Sequence, residues 1–333
     1  MGGGSDMKLP AATICVLACF VGDFRLSAPT QQKRIANELK PASAGAVGIQ
    51  IKNVNLLLTR KIVLGIGALR GQFQRTRPDM PVTLDDSESF SVDVDSAEIR
   101  MTSSSLTALM NEYVFDYKGA PIRNVAVTFQ NGHLIQTGVI HKGIDLPFQV
   151  DASLAVTRDG KIRVHTEKIK AGRLPVRGLL HFLGEDLQKL ISENPGRGVQ
   201  ADGDDLILAP ASLTPPPHIH GHIVRVSVTD TALVLFFDSG RHPAPLTPPL
   251  RAPAYIYHRG GILRFGKLTM NDADLEIVGD RRGMFDFFQR EYKKQLIAGY
   301  SKNTSADGLI AHMADYSHFE MPLLTDARNS STR

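Results

Sequence analysis

Residues Gln149–Ile191 read QVDASLAVTRDGKIRVHTEKIKAGRLPVRGLLHFLGEDLQKLI, and this stretch decides the fold. Together with the preceding Phe148, the residues Val150, Ala152, Leu154 and Val156 recur at every second position, so one face of an extended strand is apolar. Asp159-Gly160 supplies a tight turn, and Ile162, Val164 and Thr166 resume the alternation on a second strand. The period then changes. Val176, Leu179, Leu180, Leu183, Leu187, Leu190 and Ile191 fall three or four apart, which draws a single apolar stripe along a helix. Pro175 stands in the first turn, where its missing N–H is tolerated, and Asn194-Pro195-Gly196 ends the helix. Two alternating strands feeding an amphipathic helix specify a packing surface and no reaction.

Upstream, Asn131-Gly132 turns a hairpin between Val125, Val127, Phe129 and the run from Leu134 to Ile140, so the middle of the chain is an antiparallel meander. Ser103 to Ser105 cap a helix carrying Leu106, Leu109, Met110, Tyr113 and Val114. Phe90, Val92 and Val94 form one strand before it, Ile99 and Met101 another. The order of elements in Ile99–Phe115 echoes that in Ile162–Ile191, with little residue identity. Folding starts near Val47, where Val47, Ile49 and Ile51 alternate. Leu56 to Leu69 follows as an apolar strand pair in which Gly65 and Gly67 mark a bulge or a close approach, and Arg75 to Asp86 is a loop.

Downstream, Leu206 to Leu208 is a short strand, Ile219 to Val228 a long one and Ala232 to Phe237 a wholly apolar one. Five prolines between Ser239 and Pro253 preclude a central strand and predict an extended, exposed loop. Tyr255–His258 and Ile262–Ile277 read as strands. Met284–Tyr300 reads as a helix that buries Phe285, Phe288, Tyr292 and Leu296, and from Ser317 the chain has no periodicity. The organisation is a signal or anchor segment (1–22), a tether (23–45), one α+β domain (46–316) and a loose tail (317–333). Its architecture is a large curved antiparallel sheet packed by two or three amphipathic helices.

The chain of 333 residues is 42% hydrophobic and 22% charged, ordinary values for a folded protein. Its 38 basic residues exceed its 34 acidic ones by too little, spread too evenly, for a nucleic-acid footprint. Leu9 to Gly22 is uncharged, too short for a comfortable membrane span and of the length of a secretory signal. Val16-Leu17-Ala18 offers cleavage positions, and with Cys19 it also forms a degenerate lipoprotein box; a buried cytoplasmic helix is the third reading. Cys15 and Cys19 are the only cysteines, so the body of the protein carries no disulfide and no thiolate metal site.

Candidate chemistry is sparse. His218, His220 and His222, two apart on a strand, could present three imidazoles to one side as zinc ligands for a metal-dependent hydrolase; the alternative is a set of histidines at a strand entry. There is no Gly-x-Ser-x-Gly elbow and no phosphate-cradling glycine loop, and no cofactor is expected. Asp85-Asp86 and Asp202, Asp204 and Asp205 are solvated turns without helix-loop-helix calcium spacing. Lys168, Lys170, Arg173 and Arg177 gather at a strand-to-helix junction, where they could hold a lipid headgroup phosphate or form a solvated rim. Leu56-Leu57-Leu58, Ile62-Val63-Leu64 and Leu233–Phe237 are apolar on both strand faces, although an antiparallel sheet usually keeps one face wet. Either core packs on both sides, or one face lines a cavity for an apolar ligand.

The long strands, the Asp159-Gly160-Lys161-Ile162 turn, the helix entry Lys170-Ala171-Gly172-Arg173-Leu174-Pro175-Val176 and the strand Asp204-Asp205-Leu206-Ile207-Leu208 resemble bacterial envelope proteins of the LmeA and YceB group. Those are similar in turn to tubular lipid-binding (TULIP-like) domains, in which a curved sheet wraps a long helix and leaves an apolar groove. The resemblance spans roughly residues 90–240; the proline-rich insertion and the C-terminal part depart from it. It implies a periplasmic or membrane-anchored protein that binds a lipid or another long apolar molecule without catalysis. It also implies groove positions at Leu106, Leu109 and Met110 and at Leu179, Leu183 and Leu187. The rival function is an envelope scaffold whose apolar strands are all core.

Overall fold

A computed structural model describes residues 45–116, 118, 120, 122–141, 144–171, 199–202, 205–209, 214–279 and 283–320. The helix expected at 175–191, the N-terminal segment, the tether and the tail beyond 320 lie outside these residues.

The chain begins with β1 (Val47–Leu57), β2 (Val63–Arg75), β3 (Val82–Thr83), β4 (Phe90–Thr102) and α1 (Ser103–Leu109). The meander follows as β5 (Ile122–Gln130), β6 (His133–His141), β7 (Asp145–Val156) and β8 (Ile162–Ala171), with β9 (Val199–Asp202) and β10 (Asp205–Leu208) after it. Then come β11 (Ile219–His220), β12 (Ile223–Val228), β13 (Ala232–Asp238), β14 (Tyr255–Arg259), β15 (Leu263–Phe265), β16 (Leu268–Met270) and β17 (Asp274–Gly279). The last elements are β18 (Phe285–Phe288), α2 (Tyr292–Ile297), β19 (Tyr300–Asn303), β20 (Leu309–Met313) and α3 (Ser317–Glu320).

The protein is α+β and dominated by sheet, as the sequence predicts, and its strands divide among three sheets. Eleven strands form the first, in the order β12-β13-β4-β2-β1-β14-β17-β20-β19, with β11 added on β4 and β18 on β1. The meander makes a second sheet of six, β5-β6-β7-β8-β10-β9, and β16-β15-β3 a third. One apolar cluster runs through the inner faces of both large sheets, from Ile49, Ile66 and Ile99 to Val127, Val150 and Val164.

Both predicted hairpin turns form. Asn131 (φ 53°) and Gly132 (φ 80°) are each left-handed, the pairing that matches strand twist, and Gly160 (φ 75°) closes the β7–β8 turn while Thr157 N donates to Lys161 O. Where the sequence suggests two strands, Phe90–Val94 and Ile99–Met101, a single 13-residue strand forms. A bulge at Asp95 takes up the break in alternation, since Arg70 pairs with Ser96 while Gly71 pairs with Val94. The helix expected over Met284–Tyr300 is a correction. Phe285–Phe288 is a strand parallel to β1, a 3-10 turn follows at Gln289–Glu291, and only Tyr292–Ile297 is α-helical. Aromatic spacing at 285, 288 and 292 fits a helix locally, but the ladder to Val54–Leu57 and burial of Phe285, Phe287 and Phe288 on both strand faces decide otherwise. Ser317–Glu320 forms a short helix that begins the expected tail, and Tyr316 just before it is buried against Phe288.

The proline-rich segment is extended and largely exposed, yet it is not a free loop. It lies as a strap across the outer face of the first sheet. Gln50 Oε1 accepts from Leu246 N (3.0 Å) and Gln50 Nε2 donates to Leu246 O (3.2 Å), so one side chain replaces a strand partner's backbone. Leu250 N donates to Glu276 Oε2 (2.7 Å), Asn53 Nδ2 to Pro253 O (2.8 Å), and Arg241 pairs with Asp95 (2.9 Å). Prolines suit a strap because a segment outside any ladder needs few N–H donors. Beneath it Tyr255, Tyr257, Val278 and Ile310 form a second apolar cluster with Leu246 and Ala252. Leu57, Phe288 and Tyr316 form a third. The third patch, which holds Leu57 with Val63 packed on it, explains part of the two-faced apolar runs by packing. Gln50→Ala removes the strap's central anchor and leaves two strap groups unpaired, so we expect a loss of about 2 kcal/mol and faster protease cleavage within 239–253. Unchanged cleavage would show that the strap is held elsewhere.

Candidate functional site

Helix α1 leaves the end of β4 with Thr102 as its cap, whose hydroxyl accepts from Ser105 N at 3.2 Å. It continues through a π-turn, Met110–Val114, in which Phe115 N donates to Met110 O (2.8 Å). Leu106, Leu109 and Met110 all point into the shared core and are buried there. The neighbouring side of the helix caps an edge of the second sheet. Asn111 accepts from Val125 N (2.9 Å) and donates to Val125 O (2.6 Å), and Thr107 Oγ1 accepts from Val127 N (2.9 Å). The open edge of β5 is thereby satisfied by side chains.

Between α1 and the outer face of β1, β2 and β4 lies a cleft of about 1450 Å³. Ser104, Thr107 and Asn111 face it from the helix, Asn55, Gly65 and Gly67 from the sheet. Its charges are paired within the wall: Arg100 with Glu98 (2.6 Å), Lys61 with Glu112 (2.5 Å), and Arg60 with Glu291 (3.2 Å). The sequence marks Gly65 and Gly67 as special but contains nothing to reveal the cleft, because α1 reaches this position only through tertiary packing.

The candidate headgroup cluster is described in part. Lys168 and Lys170 are exposed on β8, opposite Asp151 and Gln149 of β7. Arg173, Arg177, Leu179, Leu183 and Leu187 lie outside the described residues. The solvent face of the second sheet is a lattice of ion pairs, including Arg163 with Asp202 (2.8 Å) and Asp205, and His133 with Asp151 (2.6 Å). Asp205 is held below the usual carboxylate range: its partial burial raises the pKa, and bonds from Arg163 and His165 more than compensate.

The histidine triplet does not form a metal centre. The expected long strand Ile219–Val228 is broken: β11 runs parallel to β4, β12 antiparallel to β13, and His222 stands between them. The alternation that would set three imidazoles on one side is lost at Gly221, which is pressed against Phe237. His222 packs against the Gly160 turn. Among the described residues no three His, Cys, Asp or Glu side chains gather as metal ligands.

Two buried titratable groups stand out that the sequence reading passed over. His258 on β14 is 2% exposed, its Nδ1 has no partner, and burial lowers its pKa to about 4. It borders a small apolar pocket of about 50 Å³ with Phe73, Ile256 and Phe287. On the opposite face of the sheet Glu276 is wholly buried under the strap; burial raises its pKa, although Leu250 and Ala252 donate backbone bonds to it. Neither was legible, since a strand sequence does not say which of its polar residues will be roofed over. No family model, no curated protein and no solved structure matches the chain.

Proposed function

We propose that the protein is a non-enzymatic binder of a lipid or other long apolar molecule at the bacterial cell envelope, exported and either periplasmic or membrane-anchored. The observation that best supports this reading is the second sheet. Leu154, Val164 and Leu206 stand in register across β7, β8 and β10, and buried Phe148, Val150 and Leu134 extend the same apolar side. The connection that leaves β8 and returns at β9 carries the apolar stripe of Leu179, Leu183 and Leu187. In this reading the stripe meets the ligand, with Lys168, Lys170, Arg173 and Arg177 at its headgroup or at a membrane surface. The 50 Å³ pocket is far below the roughly 300–1,000 Å³ of ligand pockets, and the large cleft carries many hydroxyl, amide and charged groups among its apolar ones, so neither suits an acyl chain. Among the described residues no helix is long and apolar enough to cross a membrane.

Extraction of the protein purified from its native envelope, followed by mass spectrometry, tests the proposal. We expect a copurifying lipid, and its loss in Leu183→Glu. Protein from the envelope without any lipid, crosslinked to a partner protein, would replace this reading by the scaffold one.

A further inference from the structure

The cleft beside α1 has a floor that the fold does not require. Gly65 and Gly67 lie within β2, a central strand, where glycine weakens the ladder and offers nothing to pack. Neither has a positive φ, and a Cβ would meet no atom nearer than 3.5 Å at Gly65 or 3.6 Å at Gly67, which is ordinary contact. Gly71 in the same strand differs: a Cβ there would stand 2.2 Å from Asp93 O. The backbone demands glycine at 71 and does not demand it at 65 or 67. Gly67 is the extra residue of a bulge, which accounts for it locally, but Gly65 is paired regularly with Asn55 and Arg100; a bare position of that kind inside a ladder marks a surface that another molecule approaches closely, and above both glycines the cleft of about 1450 Å³ is open.

The lining identifies what fits. Hydroxyl and amide side chains are the largest class in a mixed lining, among them Asn53, Asn55, Ser104, Thr107 and Thr231, beside apolar Val63 and Met284. An acyl chain laid here would strip water from these groups and return no hydrogen bonds. The ionic side chains are matched in place, Arg100 with Glu98 and Lys61 with Glu112, so an anionic ligand meets carboxylates beside each cation and a cationic one the reverse. We propose that this cleft binds a neutral polyhydroxylated ligand, an oligosaccharide chain laid along the glycine floor, with the amides and hydroxyls exchanging hydrogen bonds with its hydroxyl groups. The site is separate from the apolar one above and does not depend on it. The same chemistry is offered by a free oligosaccharide and by the sugar headgroup of a glycolipid.

Calorimetry and saturation-transfer NMR on the full chain, with short linear oligomers of glucose, mannose and N-acetylglucosamine and a sulfated counterpart of each, test this. At least one neutral oligomer should bind, more tightly than its sulfated counterpart. Gly67→Leu, which fills the floor, should weaken that binding by about tenfold or more while the thermal midpoint stays or rises. Displacement of the protein by free sugar from vesicles bearing the same headgroup would assign the source as glycolipid; binding of the soluble sugar alone would assign a free glycan. No binding by any neutral oligomer, preference for the sulfated forms, or full binding by a folded Gly67→Leu protein would overturn the proposal.

Discussion

Alanine at Gly71 will destabilise the protein by about 3 kcal/mol or more, whereas alanine at Gly67, four residues earlier in the same strand, will be neutral or stabilise it by up to about 1 kcal/mol. The difference lies in the partner strand. At Asp95 an extra residue is accommodated in β4, and this bulge swings the Asp93 carbonyl over Gly71, to 2.2 Å from where a Cβ would stand. The obstacle is backbone on both sides, in the centre of the largest sheet, so no rotamer change relieves it. The chain must move β2 away from β4 and lose ladder bonds, or give up the bulge that carries buried Asp95 to Arg241 on the strap. Gly67 is itself the extra residue of a second bulge, and there the nearest atom is the flexible end of Glu98. Urea midpoints of the two variants settle the matter. A Gly71→Ala protein as stable as the parent would mean that the bulge is not where we describe it.

Acid will weaken the fold through His258. The imidazole lies between Phe73, whose ring centre is 5.4 Å away, and the small apolar pocket, and burial disfavours its cation. The pKa falls from the ordinary 6.5 to about 4, so in this interval the unfolded chain binds a proton that the folded chain refuses. The contribution is complete above pH 6.5, declines as pH falls and is gone below about pH 4, a swing of about 3 kcal/mol. Glu276 acts in the opposite sense. Its raised pKa makes the folded chain hold a proton more readily, so its contribution grows as pH falls toward the ordinary carboxylate value and is lost as pH rises through the raised one. The comparison that isolates His258 is therefore between the protein and His258→Leu, a substitution that also removes the unpartnered nitrogen. Unfolding free energies measured from pH 7 to pH 4 should fall less steeply in the variant, and parallel curves would exclude His258 as the cause.

Much of the molecule is legible in one dimension where a single local rule governs. Asn131-Gly132 and Asp159-Gly160 turn as their backbone freedom dictates, the strands between them alternate, and α1 starts at the expected serines, although its cap is Thr102 and not Ser103 to Ser105. Errors gather where two rules compete. Phe285, Phe288 and Tyr292 have helical spacing, but a vacant edge on β1 captured the first two as a parallel strand, and a ladder to a segment more than two hundred residues earlier leaves no trace in local periodicity. The histidines at 218, 220 and 222 keep their spacing of two, yet spacing defines a common face only while one strand continues, and two different partner strands interrupt it. The prolines correctly forbid a ladder in Ser239–Pro253; that Gln50 and Glu276 would hold the segment down depends on which side of the sheet they face.

By itself, then, the sequence determined the class of structure: α+β, sheet-dominated, with its turns and its first helix in place. Those features rest on φ preference and on the two- and 3.6-residue periods, which involve only neighbours in the chain. Tertiary structure alone decided how the strands divide among sheets, that the strap would roof Glu276, and that α1 would stand beside Gly65 and Gly67 to make a cleft. Each of these follows from pairing and burial between distant residues, and such contacts form because they satisfy many hydrogen bonds and bury much apolar surface at once, a sum that no single segment contains.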